Sequence, residues 1–92
     1  MEQILDVSAL AAPEPLLRAV DVIKGLPQGD YLRFRHRMKP CRLYDVLKES
    51  GLEWETRQGE VVECELFIWH AGDRVAEEAA RAAAAKLEPW QD

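Results

Sequence analysis

The chain has little cysteine, no long apolar run, no excess of basic charge and no internal repeat, and each shortage removes a class of function. Cys41 and Cys64 are its only cysteines. Two are too few for a disulfide framework, and they lack the paired CxxC spacing of a zinc site. No apolar stretch approaches the roughly 20 residues that span a bilayer. Met1-Glu2-Gln3 has neither the basic nor the apolar region of a secretory signal, so a reducing cytoplasm is the expected compartment. With 12 Lys and Arg against 17 Asp and Glu, the net charge of −5 offers no general attraction to nucleic acid or an anionic membrane. The one low-complexity stretch is Ala82 to Ala85. No Ser-His-Asp set, paired-carboxylate site or phosphate loop can be assembled.

What is present is ordinary for one small globular domain: 92 residues, 48% hydrophobic and 32% charged. Residues 3–8 alternate in part through Ile4, Leu5 and Val7 and predict a strand. Pro13 opens a helix, because proline is tolerated in the first turn, where backbone N–H groups have no partners. Leu16, Leu17, Val20 and Ile23 form its apolar set, and Gly25 ends it. "YLRFRHRM" alternates, with Leu32, Phe34, His36 and Met38 on one face and Tyr31, Arg33, Arg35 and Arg37 on the other. Pro40 opens a second helix, with Cys41, Leu43, Tyr44, Val46 and Leu47 as its apolar set, and Ser50-Gly51 closes it. Strands follow over "LEWETR" and over 62–70. Asp73 then caps an alanine-rich helix over Val75 to Lys86, stopped by Pro89.

The predicted order is β-α-β-α-β-β plus a C-terminal helix. Right-handed crossovers place both internal helices on one face of a four-stranded mixed sheet, an α/β (α+β) two-layer open-faced sandwich. The domain spans 1–72, with the helix over 73–88 packed on it or on a partner and a frayed tail over 89–92. Tyr31, Phe67 and Trp69 on the bare face require a cover. The expected cover is the alanine-rich helix, through Val75, Ala79, Ala82 and Leu87, or else a second copy of the chain.

"ILDVSALAAPEPLLRAV" resembles the opening of TusA/SirA-like domains, in which Leu-Asp and a short loop precede Cys-Pro-x-Pro at the start of the first helix. Leu5, Asp6, Leu10, Pro13, Glu14, Pro15 and Leu16 fit that pattern. The element order is similar from about residue 3 to 71. The chain looks closest to an uncharacterised SirA-like domain often found beside hemerythrin-like domains. His36, Pro40 and Trp54 match that domain's motifs, while Arg37 and Met38 stand where it has Asp and Pro. The resemblance implies a sulfur-relay ancestry, with hemerythrin-like or sulfur-relay and redox proteins as partners. It also implies that the persulfide-bearing position is Ala12, which has no sulfur, so that activity is not expected there.

Candidate site residues follow from position. His36 lies at the carboxyl end of its strand, where open α/β sheets bind ligands. The plainer reading is an inner-face histidine bonded to backbone. Lys39, Pro13 and Glu14 flank the same end. Cys41, near a helix start beside Lys39 and Arg42, is the redox candidate, against the plainer reading of a small core residue. His36, Cys41, Cys64 and His70 are soft ligands, but Cys64 and His70 sit roughly 20 Å apart along one strand. No metal and no cofactor is therefore expected. Arg33, Arg35, Arg37, Lys39 and Arg42 form a basic run, which Glu63 and Glu65 neutralise if the two strands are neighbours.

Three functions follow. The first is a non-catalytic binding or adaptor module for a small ligand or protein, as monomer or homodimer. The second is a sulfur-carrier or redox protein using Cys41. The third and weaker is an anion or nucleic-acid binder using the arginine face.

Overall fold

The computed structural model describes residues 1–91. Its order is β1 (Glu2–Asp6), α1 (Glu14–Lys24), β2 (Tyr31–His36), α2 (Cys41–Glu49), β3 (Leu52–Gln58), β4 (Cys64–His70), α3 (Arg74–Ala84) and β5 (Glu88–Pro89). The sheet runs β1-β2-β4-β3-β5. β1 is parallel to β2, and β4 is antiparallel to both β2 and β3. The α+β sandwich expected from the sequence is present. No helix among the described residues is long and apolar enough to cross a membrane.

Two β-α-β crossovers put α1 and α2 on one side of the sheet. Ala19 and Ile23 of α1 and Leu43 and Leu47 of α2 share a core with Leu32, Phe34, Leu66 and Ile68. Spacing of three and four residues brings these helical positions to one stripe. In α1 the buried stripe is Pro15, Ala19 and Ile23, whereas Leu17, expected to face the core, is 56% exposed. α2 ends at Ser50, and Gly51 turns the chain into β3 at φ +73°, a left-handed conformation open to glycine at little cost. Tyr44 of α2 stacks on Trp54 of β3 at 5.4 Å between ring centroids and shares a 2.7 Å hydrogen bond with Thr56.

The second face is closed by the chain itself. α3 covers Tyr31, Phe67 and Trp69 with Ala76, Ala80, Ala84 and Leu87. Of the cover expected from the sequence, only Leu87 is right. Val75, Ala79 and Ala82 are exposed, because the stripe of α3 that meets the sheet is Ala76, Ala80 and Ala84. The Asp73 carboxylate accepts from the Ala76 N–H at 3.1 Å and from the Gly29 N–H at 2.6 Å, tying α3 to the turn before β2.

The tail expected over 89–92 is corrected in part. Glu88 and Pro89 pair with Gln58 and Arg57 on the edge of β3, and Arg57 donates to the Leu87 carbonyl at 3.2 Å. Residue 92 of that tail lies outside the described residues.

Candidate functional site

β1 and β2 are parallel, so their carboxyl ends lie together, and the N-termini of α1 and α2 follow just beyond them. A cavity of about 580 Å³ opens there, within the range of small-molecule sites. Its apolar wall is made by Leu10, Pro13, Pro15, Leu16, Phe34, Met38 and Leu43; its charged side chains are Arg37, Lys39 and Arg42. Among the described residues none that lines it is acidic, although the chain as a whole is. Ala12 lines it too, as do His36 and Cys41.

His36 ends β2 on the inner face, only 6% exposed. Its ring meets Phe34 edge-on at 5.9 Å, and it pairs across the sheet with Cys64. Nδ1 has no hydrogen-bond partner. The backbone bond of the plainer sequence reading is therefore not made at that nitrogen, and a buried polar atom left unpaired costs on the order of 1–3 kcal/mol. Burial lowers the His36 pKa below the ordinary imidazole value; Arg37 adds to the effect and Asp6 opposes it.

That shift has a definite sign. The unfolded imidazole takes up a proton near pH 6.5, while the folded one resists until lower pH. The unfolded state then binds more protons in that window, and stability falls as pH drops through it. Urea-unfolding free energies measured between pH 7.5 and 5.5 should therefore decline, with a shallower slope in His36→Gln. Equal slopes in the two proteins would show that His36 does not carry the effect.

Cys41 is exposed at the first residue of α2, on the cavity rim. It does not belong to the core, as its apolar pattern in the sequence had it. Cys64 is fully buried, and burial pushes its thiol pKa up to about 11. Because thiolate is the reacting form, iodoacetamide should modify Cys41 in the native protein and leave Cys64 untouched until denaturant is added. Peptide mass mapping reads this directly, and native modification of Cys64 would contradict the packing.

The remaining candidates separate cleanly. Pro13 and Lys39 line the cavity; the Ala12–Pro13 peptide bond is cis, and the Lys39 ammonium also lies 5.7 Å from the Tyr44 ring centre. Glu14 does not line it. Its carboxylate points to solvent and meets Arg18 at 3.5 Å, one helical turn on. His70, at the far end of β4 from His36, lies 3.3 Å from the Leu26 carbonyl. Among the described residues no three His, Cys, Asp or Glu side chains group in a way that could hold a metal ion.

The basic run divides in two. Arg33 and Arg35 place Nε 2.5 and 3.1 Å from one oxygen of Glu65, which is 1% exposed on β4. Glu2 lies 3.6 Å from Arg33 as well. Burial alone raises the Glu65 carboxyl, but the two arginines outweigh it and hold the pKa below the ordinary value. Arg37 was expected on this ladder and is not. β2 ends at His36, so Arg37 turns to the cavity, where it donates to the Ser8 carbonyl at 3.4 Å. Met38, expected on the inner face, is 55% exposed at the same rim.

Sequence reasoning did not place Arg37, Met38 or Leu10 at the site. The alternation in the sequence runs on through Met38, whereas β2 stops at His36, so periodicity alone assigned Arg37 and Met38 to the strand. Comparison with protein-family models, curated proteins and solved structures returned no match to this chain.

Proposed function

We propose that the protein is a non-catalytic binding module whose small ligand sits between the carboxyl ends of β1 and β2 and the starts of α1 and α2. The observation that carries this reading is His36, buried in the wall of a 580 Å³ cavity with Nδ1 unpaired. A ligand that completes its hydrogen bonding removes the cost of leaving it unmet. The likeness of the opening segment to TusA/SirA-like domains supports a domain that kept its scaffold while Ala12 replaced the sulfur-bearing residue. A fragment screen by NMR tests the reading. Amide shifts should cluster at Ala12, His36, Met38 and Cys41, and a library that perturbs none of them rejects the site.

Cys41 favours a second reading, a sulfur-carrier or redox protein with a relocated nucleophile, because the thiol is exposed on that same rim. Intact mass after exposure to a persulfide donor decides it. Added sulfur retained in Cys64→Ser and lost in Cys41→Ser supports this reading, and no added sulfur on native protein removes it.

A further inference from the structure

We propose that the cavity is selective for a small organic anion, an apolar body ended by a single carboxylate, with the carboxylate held by Arg37, Arg42 and His36. The proposal rests on the binding reading above and adds the chemical class of the ligand. Three observations carry it, each independent of the others.

The first is charge. The chain carries −5 overall, yet among the described residues the cavity is lined by three cationic side chains and no acidic one. Among the described residues no carboxylate forms an ion pair with Arg37 or Arg42. By contrast Arg33, Arg35, Arg57 and Arg81 all do. Of the three arginines with no acid partner among the described residues, Arg37 and Arg42 line the cavity and Arg74 lies at the start of α3.

The second is the backbone. α2 starts at the cavity with no side-chain cap and no acidic residue in its first turn, whereas α1, which also starts there, carries Glu14 in its own first turn and does not add to this. The N–H groups of a first turn favour an anion. The third is His36 itself, nine-tenths buried in the cavity wall with Nδ1 unpartnered. A ligand carboxylate supplies the acceptor that the protein does not.

The rest of the wall defines the remainder of the ligand. Leu10, Pro15, Leu16, Phe34 and Leu43 present apolar surface, which gains about 25 cal/mol for each Å² of ligand it removes from water. An inorganic ion leaves that surface wet. A neutral apolar molecule leaves Arg37 and Arg42 without a counter-charge.

Cys41 provides the readout, since it is an exposed thiol on the rim. The test measures its alkylation rate by iodoacetamide in the native full chain, with phenylacetate, phenylacetamide or inorganic phosphate added, alongside the His36 imidazole NMR signals. Phenylacetate should slow alkylation at least threefold and shift the His36 signals. Phenylacetamide and phosphate at the same concentration should do neither. Arg42→Gln and Arg37→Gln should each weaken phenylacetate about tenfold, as expected for loss of a charge-assisted hydrogen bond.

Equal protection by phenylacetamide overturns the anion inference and leaves the binding reading standing. Protection by phosphate as strong as by phenylacetate overturns the apolar part. No effect of phenylacetate, with fragments still binding at His36, rejects the carboxylate. If no fragment binds either, both readings fall.

Discussion

Glu65→Ala is expected to lower the unfolding free energy by about 3 kcal/mol, the lower end of the range for removing one partner of a buried ion pair. The lower end applies because Arg33 and Arg35 keep 19% and 23% of their side-chain surface and recover some hydration. Glu65 itself is 1% exposed and answers two guanidinium groups with one carboxylate oxygen. Its loss leaves Arg33 with only Glu2, 3.6 Å away, and Arg35 with no other ion pair among the described residues. At about 4–8 °C per kcal/mol for a domain of this size, the fall in Tm is about 12–24 °C. Thermal unfolding followed by circular dichroism measures it, and a change below about 2 °C would mean that the pair is solvated. Acid has a related effect. The folded pKa of Glu65 lies below its ordinary value, so its contribution is complete above the unfolded pKa near 4.3. It is lost as pH falls through the folded value. Asp6, Asp30 and Asp73 are shifted in the same direction, and unfolding by acid should begin below about pH 4.

Trp69→Ala should cost about 3–5 kcal/mol, the range for deleting a buried aromatic ring. The Trp69 ring is fully buried beneath α3 among Phe67, Ala76, Ala80 and Ala84. Its Nε1 donates to Glu53 at 3.2 Å, and the Arg81 guanidinium lies 5.0 Å from the ring centre. The α3 residues that pack on the ring, Ala76, Ala80 and Ala84, are too short to refill the space. Besides the drop in Tm, the variant should be cut by trypsin at Arg74 and Arg81 far faster than the native chain. Trp69→Phe should show a smaller loss. Native-like protease resistance in Trp69→Ala would mean that α3 is held mainly by Asp73 and β5.

Much of the fold was legible because its signals are local. The alternation in "YLRFRH" sets β2, and the same alternation forecast that Glu63 and Glu65 would meet the arginines if β2 and β4 were neighbours, which they are; Glu65 does so, while Glu63 is exposed just before β4. The alanine-rich helix was legible from propensity, but its inward face was not. A helix in which nearly every non-polar residue is alanine has little contrast between sides, so even with the Asp73 cap read correctly the inward stripe of Ala76, Ala80 and Ala84 was not legible. β5 was invisible for another reason: two residues carry no periodicity, and their pairing with Arg57 and Gln58 is long-range. The site shows the same division. His36, Lys39, Pro13 and Cys41 could be placed from their positions at strand and helix ends, and the structure brings all four to one cavity. Glu14 could not, since a first-turn residue faces the ligand side or solvent according to helix rotation. Arg37 was misplaced by carrying the β2 alternation one residue too far. The apolar wall comes from the loop after β1, α1, β2 and α2, and only tertiary packing assembles it.

The sheet separates two jobs. The cavity opens on the side of α1 and α2, while Trp69 and the alanine stripe of α3 lie behind β4 on the other. The two core clusters have no residue in common, and substitutions at distant sites without shared partners combine additively to within about 0.5 kcal/mol. The rim at Arg37, Met38 and Arg42 can therefore be varied in a library without drawing on the stability held by the far layer. If the cavity binds as proposed, a scaffold whose binding rim and structural reserve are uncoupled in this way tolerates changes of specificity that a single shared core would turn into unfolding.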